Sequence, residues 1–109
     1  PPRSTLFPYT TLFRSQPRGS YRFSDGSRYE GEFDRGLFSG QGTLTYAGGK
    51  KYVGEFAHDL PEGEGVLTEP DGREYRGGFR RGRCDGRGRI IYPDGRSIDV
   101  RFEDGRQVE

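Results

Sequence analysis

The sequence predicts an all-β protein: one antiparallel, twisted, elongated sheet assembled from consecutive β-hairpins, with no helix. Three observations predict it. A 23-residue period runs through most of the 109 residues. Glycine is abundant, at 19 residues, and regularly spaced. No stretch shows an apolar period of 3.6 residues, and Gly every few positions would ruin a helix.

Composition narrows the reading. Hydrophobic residues make up 28% and charged residues 32% of the chain, a balance that ordinarily leaves too little apolar surface to offset chain entropy. The 14% aromatic content and the even Gly spacing point instead to an ordered, thin, Gly-rich structure. A net charge of +1 implies no electrostatically dominated partner. No apolar run approaches the ~20 residues of a membrane span. The single cysteine, Cys84, leaves no intramolecular disulfide to form, and with one distant His58 it makes no metal site. No cofactor and no small-molecule substrate are expected.

The first residues stand apart. Pro1 to Ser15, PPRSTLFPYTTLFRS, contain no Gly and no acid. They are, residue for residue, the translation of a DNA that resembles a common high-throughput sequencing adapter. The segment is therefore set aside as an assembly artefact. Native sequence upstream of Gln16, with any targeting signal or further domain, is expected to be missing, and no compartment is legible.

The repeats follow in order. Tyr29-Glu30-Gly31-Glu32-Phe33 recurs as Tyr52-Val53-Gly54-Glu55-Phe56 and as Tyr75-Arg76-Gly77-Gly78-Phe79, with a decayed copy at Ile98-Asp99-Val100-Arg101-Phe102. Eleven residues after each Tyr stands a G-x-G: Gly40/Gly42, Gly63/Gly65 and Gly86/Gly88. Each unit closes on Gly49, Gly72 or Gly95. Backwards extrapolation places Gly19, Tyr21, Phe23 and Gly26 in register, with Pro17 at a Gly position. Of the 19 Gly, 17 lie on this lattice, which decides for a repeat against a flexible linker. The expected organisation is a severed remnant over 16–28, repeats over 29–51, 52–74 and 75–97, and a degenerate C-terminal cap over 98–109.

Local chemistry makes each unit a hairpin. In Tyr-x-Gly-x-Phe, residues Tyr29, Gly31 and Phe33 share one strand face. Thr43-Leu44-Thr45-Tyr46 alternates likewise and is rich in strand formers. Asp34-Arg35-Gly36 and Ser39-Gly40 supply turn chemistry between them. Pro70-Asp71-Gly72 and Pro93-Asp94-Gly95 read as type I turns ending in a left-handed Gly. Gly31, Gly54 and Gly77 leave room for a neighbouring ring. Stacked Tyr and Phe rings then form the core, each repeat burying its face mainly against the next.

The pattern Y-x-G-x-F-x-x-G-x-x-x-G-x-G resembles the MORN (membrane occupation and recognition nexus) repeat family. Residues 29–51 and 75–97 match every motif position. Residues 52–74 depart once, with Asp59 where Gly is expected, and Asp tolerates the left-handed conformation better than most residues. The resemblance implies a binding and scaffolding module that organises complexes, self-associates or attaches larger proteins to membranes. Some arrays of the family are appended to lipid kinases or methyltransferases, so a regulatory fragment of a larger enzyme is a further expectation.

No residue constellation reads as catalytic. His58 beside Asp59 sits in a turn without a nucleophile at a matching motif. Cys84, between Arg83 and Asp85, is read as a turn residue whose pKa flanking Arg would lower somewhat. The G-x-G pairs are not phosphate loops, because no helix follows them. The basic cluster is the one candidate patch. Between Arg73 and Arg89 lie seven Arg and two acids, with Arg76, Arg80, Arg81, Arg83, Arg87 and Arg89 flanking one hairpin. The favoured reading is a solvated strand face paired with acids of the adjacent repeat, such as Glu62 and Glu64. Anionic lipid head groups or an acidic protein are the next, and nucleic acid the least favoured. The partner expected overall is a protein or a second copy, bound on a concave aromatic face or an open strand edge.

Overall fold

The structure is a computed structural model that describes residues 17–109. The Pro1–Ser15 segment and its adapter reading lie outside the described residues. Nine strands run in chain order: β1 (Arg18–Arg22), β2 (Arg28–Asp34), β3 (Leu37–Thr45), β4 (Lys51–Ala57), β5 (Leu60–Thr68), β6 (Glu74–Arg80), β7 (Arg83–Ile91), β8 (Ser97–Glu103) and β9 (Arg106–Gln107). They form one sheet in the order β1 to β9, every neighbour antiparallel. Among the described residues there is no helix. Eight inter-strand steps of about 4.8 Å span roughly 38 Å, which accounts for the longest extent of 39 Å.

Two kinds of turn alternate. Within each Tyr-Gly unit the strands meet at a two-residue loop whose central residues are both left-handed: Arg35 and Gly36 (φ 53° and 81°), His58 and Asp59 (51° and 74°), Arg81 and Gly82 (52° and 84°). Positive φ at both centres is the hairpin turn that matches strand twist. Between units the loop is longer. The Gly72 N–H donates to the Glu69 carbonyl at 2.9 Å, with Gly72 at φ 97°, so the left-handed Gly expected after Pro70-Asp71 is present. Asp71 Oδ1 fixes that turn by accepting from the Arg73 N–H at 3.0 Å.

Ser39-Gly40 is no turn. Both residues lie inside β3, because the two-residue loop at Arg35-Gly36 already reverses the chain. The irregularity is a bulge on β3 itself: Gly31 pairs with Gly42 but Glu32 with Ser39, which leaves Gly40 and Gln41 as extra residues, and the same shift recurs between Gly54 and Phe56 and between Gly77 and Phe79.

Cross-strand register aligns the glycines into one row. Gly19 pairs with Gly31, Gly31 with Gly42, Gly42 with Gly54, Gly54 with Gly65, Gly65 with Gly77 and Gly77 with Gly88; the row ends on Val100. A second row carries Tyr29, Leu44, Tyr52, Leu67, Tyr75 and Ile90. The tyrosine rings fold down over the glycine row. A Cβ built on Gly42 would lie 2.6 Å from Tyr29 Cε1, and one on Gly65 2.5 Å from Tyr52 Cζ. The second Gly of each G-x-G thus receives the ring of the preceding strand, a pairing across strands that the sequence pattern hints at only within one strand.

The rings pack mostly edge to face and not as a stack. Tyr29, Tyr52 and Tyr75 each meet the Phe of their own strand and that of the next repeat: Tyr52 lies 5.1 Å from Phe56 and 4.8 Å from Phe79, and Tyr75 lies 5.4 Å from Phe79 and 5.3 Å from Phe102. Tyr29 and Phe38 form the stacked exception, at 3.8 Å and 9°. This zigzag is the core, with Tyr29 and Tyr52 fully buried.

Candidate functional site

The aromatic face is closed in its middle by hydrogen bonds that the ring positions create. The hydroxyls of Tyr29, Tyr52 and Tyr75 donate to the carbonyls of Glu32, Glu55 and Gly78 at 2.6, 2.7 and 3.1 Å. The bulge thereby gains a donor for its strand carbonyl. Burial pushes the Tyr29 and Tyr75 hydroxyls up to about 12, and raises Tyr52 further. On the opposite side of the bulge, Glu32 Oε1 accepts from the Gln41 N–H at 3.1 Å and Glu55 Oε2 from the Glu64 N–H at 3.2 Å. Sequence reasoning assigns no role to these two glutamates. The signal that could find them is their shared place after the strand Gly, a place the third repeat fills with Gly78.

Near the N-terminal end the aromatic face opens into a groove of about 370 Å³, lined by Tyr21, Phe23, Phe33, Gly36, Phe38 and Asp59. Phe33 touches Tyr29 at 5.3 Å but has no Tyr from a preceding repeat among the described residues, whereas Phe56 and Phe79 each have one.

Among the described residues, part of β8 has no strand on its outer side. β9 pairs only with Phe102 and Glu103 of β8, and the Arg101 main chain bonds outward to Val108 and Glu109. Groups two residues apart in a strand face the same way, so the N–H and C=O of Asp99 and Ser97 also face outward. No described strand lies there. Ile98, between them, is 45% exposed.

The basic cluster is brought together on the face opposite the rings. Arg76 stands across from Arg89, Arg80 from Arg83, and Arg87 from Arg101. Arg81 sits in the hairpin loop at their end. Acids of an adjacent unit do pair with the cluster, but among the described residues they are those that follow it and not Glu62 and Glu64. Arg76 pairs with Glu74 at 3.1 Å, Arg89 with Asp99 at 2.9 Å and Arg83 with Asp104 at 3.2 Å, while Glu62 accepts the main-chain N–H of Arg81 at 2.9 Å. Acids on the same or the following strand lie closer than those on the preceding repeat. Among the described residues Arg80, Arg81 and Arg87 have no carboxylate within 4.0 Å.

The remaining candidates resolve as structure. Cys84 lies inside β7, opposite Phe79, and not in a turn. Burial pushes its thiol up, the reverse of the lowering expected from its Arg neighbour. His58 and Asp59 form no base pair of the catalytic kind: Asp59 Oδ1 accepts the Phe38 N–H at 2.7 Å, and the Asp59 N–H donates to the Phe38 carbonyl at 3.1 Å. The departure from Gly therefore keeps its turn and ties two repeats together. Among the described residues no group of three His, Cys, Asp or Glu side chains is placed to hold a metal ion.

The hairpin unit, the glycine row and the ring row recur with the period of a known repeat. The MORN repeat family model matches residues 29–51, 52–72 and 75–95. The chain belongs to the MORN repeat family. MORN repeats are in general non-enzymatic modules that commonly mediate protein or membrane interactions. No curated protein matches the chain in sequence. In MORN terms, Tyr29, Gly31, Phe33, Gly40 and Gly42, with their counterparts Tyr52, Gly54, Phe56, Gly63, Gly65, Tyr75, Gly77, Phe79, Gly86 and Gly88, are the residues that build the sheet. Among the described residues the groove, the uncovered stretch of β8 and the Arg face lie outside this framework.

Proposed function

We propose that the chain is a non-catalytic protein-interaction and scaffolding module, and that its binding surface is the open edge of β8. The observation that supports this reading is the juxtaposition at residues 97–99. Outward main-chain donors and acceptors of Ser97 and Asp99 flank the exposed apolar side chain of Ile98. A strand edge of this composition pairs with an extended segment, whose main chain supplies affinity while Ile98 supplies an apolar contact. The edge is not protected by Pro or Lys.

Site-specific photo-crosslinking tests it. A photoreactive residue at position 98 is expected to give a discrete protein adduct in cells, and Asp99→Pro is expected to abolish it. Proline removes an N–H that faces away from β7, so it blocks strand addition without breaking the sheet. No discrete adduct, or an adduct indifferent to Asp99→Pro, overturns the reading.

A second reading has one observation in its favour: the unpaired Arg80, Arg81 and Arg87 on one face. Such a patch gains about 1 kcal/mol per basic residue at an anionic membrane surface. Co-sedimentation with anionic but not neutral vesicles, lost on replacing Arg80, Arg81 and Arg83 with Glu, would support an adaptor on anionic lipid; equal recovery with both vesicle types removes it.

A further inference from the structure

We propose that the aromatic face carries a ring-sized binding site beside Cys84, which takes a small molecule with one aromatic ring and a short basic arm. The inference goes beyond the reading of the β8 edge and does not depend on it.

The repeat register locates the site. Phe38, Pro61 and Cys84 stand 23 residues apart, each the second residue of its strand, β3, β5 and β7. In the first unit Phe38 stacks on Tyr29 at 3.8 Å and 9°, and meets Tyr21, Phe23 and Phe56 at 6.2, 5.9 and 6.2 Å. Two periods on, Phe38 is replaced by Cys84, and Tyr29, Tyr21, Phe23 and Phe56 by Tyr75, Leu67, Glu69 and Phe102. These five residues all line one cavity of about 260 Å³. Where the first unit places the Phe38 ring, the third has a small thiol and that cavity. Tyr29, beside Phe38, is 0% exposed, and Tyr75, beside Cys84, is 6%.

Size and charge define the occupant. An apolar cavity of about 150 Å³ takes up benzene, so this one admits a ring with a short arm. A ring lying on Tyr75 as Phe38 lies on Tyr29 gains an aromatic contact beyond its area burial. Glu69 supplies the polar end. Burial chiefly, and the Glu69 charge in smaller measure, push the Cys84 thiol up, so the carboxylate acts across the cavity. The other charged groups of the lining are engaged, Arg73 with Asp71 at 2.9 Å and Glu74 with Arg76 at 3.1 Å. Among the described residues no cation lies within 4.0 Å of Glu69. The units on either side carry Tyr46 and Tyr92 at this position, so the acid belongs to this cavity alone among the three. An ammonium there makes a charge-assisted hydrogen bond while its ring fills the slot.

The probe is 2-phenylethylamine, followed on the full chain by the Tyr75 ring signals in NMR and by the rate at which iodoacetamide alkylates Cys84. Saturable binding on the order of millimolar affinity is expected for a ligand of this size, with alkylation slowed several-fold at saturation. The neutral analogue 2-phenylethanol is expected to bind several-fold more weakly, and Glu69→Gln to remove that difference. Cys84→Phe is expected to abolish binding, because the chain then supplies its own ring, whereas Cys84→Ala is expected to retain it. No saturation, equal affinity for amine and alcohol, or binding that survives Cys84→Phe in a folded chain overturns the inference. So does binding of a capped Phe-Lys dipeptide without binding of 2-phenylethylamine, which assigns the slot to a partner's side chain. The comparison of amine with alcohol needs no variant and decides the matter if Cys84→Phe does not fold. The adduct from position 98 reports on the β8 edge alone, so failure of either reading leaves the other standing.

Discussion

The ring of Tyr52 lies across Gly65 on the neighbouring strand, so close that a methyl group there would meet Cζ at 2.5 Å. The same ring sends its hydroxyl to the Glu55 carbonyl at 2.7 Å and its edge to Phe79 of the next repeat at 4.8 Å. One side chain thus covers a strand Gly, satisfies a bulge and joins two repeats. The chain builds its core from this arrangement because it has few aliphatic residues with which to build another.

Gly65→Ala is therefore expected to destabilise the sheet by roughly 2–3 kcal/mol, since neither the ring nor the backbone beneath it has room to give. Gly48→Ala is the control: a Cβ there meets nothing within 4 Å, and stability should change by less than about 1 kcal/mol. Urea unfolding of the two variants beside the parent checks both.

Tyr29→Phe removes the donor to the Glu32 carbonyl, a 2.6 Å bond in a buried setting, while leaving the ring contacts in place. An unsatisfied buried carbonyl costs roughly 1–2 kcal/mol, so a lowered urea midpoint with an unchanged slope is the expected result.

Asp59 separates two effects at one position. Asp59→Gly loses the 2.7 Å bond to the Phe38 N–H but relieves a non-Gly residue held at φ 74°. Asp59→Ala loses the bond and keeps the strain. Alanine is expected to cost about 1 kcal/mol more than glycine, measured by thermal unfolding of both variants.

Much of this is legible in the sequence, and the rest escapes it for definite reasons. Tyr29, Gly31, Gly42 and their counterparts announce themselves because a ring over a Gly leaves no alternative residue at either place. The turn Gly after Pro70-Asp71 is equally local. The β3 bulge at Gly40-Gln41 passes for a turn at Ser39-Gly40, because a register shift depends on the partner strand and a left-handed Gly serves either feature. Glu32 and Glu55 do not stand out since their partners, the Gln41 and Glu64 N–H groups, stand nine residues away. The ion pairs of Arg76, Arg83 and Arg89 depend on side-chain reach, which the 23-residue period does not encode. Cys84 reads as a turn residue because Arg83 and Asp85 beside it are polar, yet strand alternation turns it toward Phe79.

Alkaline pH should loosen the core at the tyrosines. Tyr29 and Tyr75 are raised from 10.0 to about 12 chiefly by burial, so the folded state holds their protons more tightly than the unfolded chain. Their contribution, roughly 2–3 kcal/mol for each ring, is complete below pH 10 and is lost as pH rises through about 12. Tyrosinate absorbance of these rings should appear together with loss of the sheet signal.

The claim that β8 offers a free strand edge is tested most directly by residue-resolved amide hydrogen exchange in dilute solution and again with the partner or with the chain concentrated. In dilute solution the amides of Ser97 and Asp99 should exchange much faster than those of Ile98 and Val100, which face β7, and should become protected on binding. Equal protection of Asp99 and Val100 in the dilute chain, or fast exchange of Asp99 that binding leaves unchanged, would contradict it.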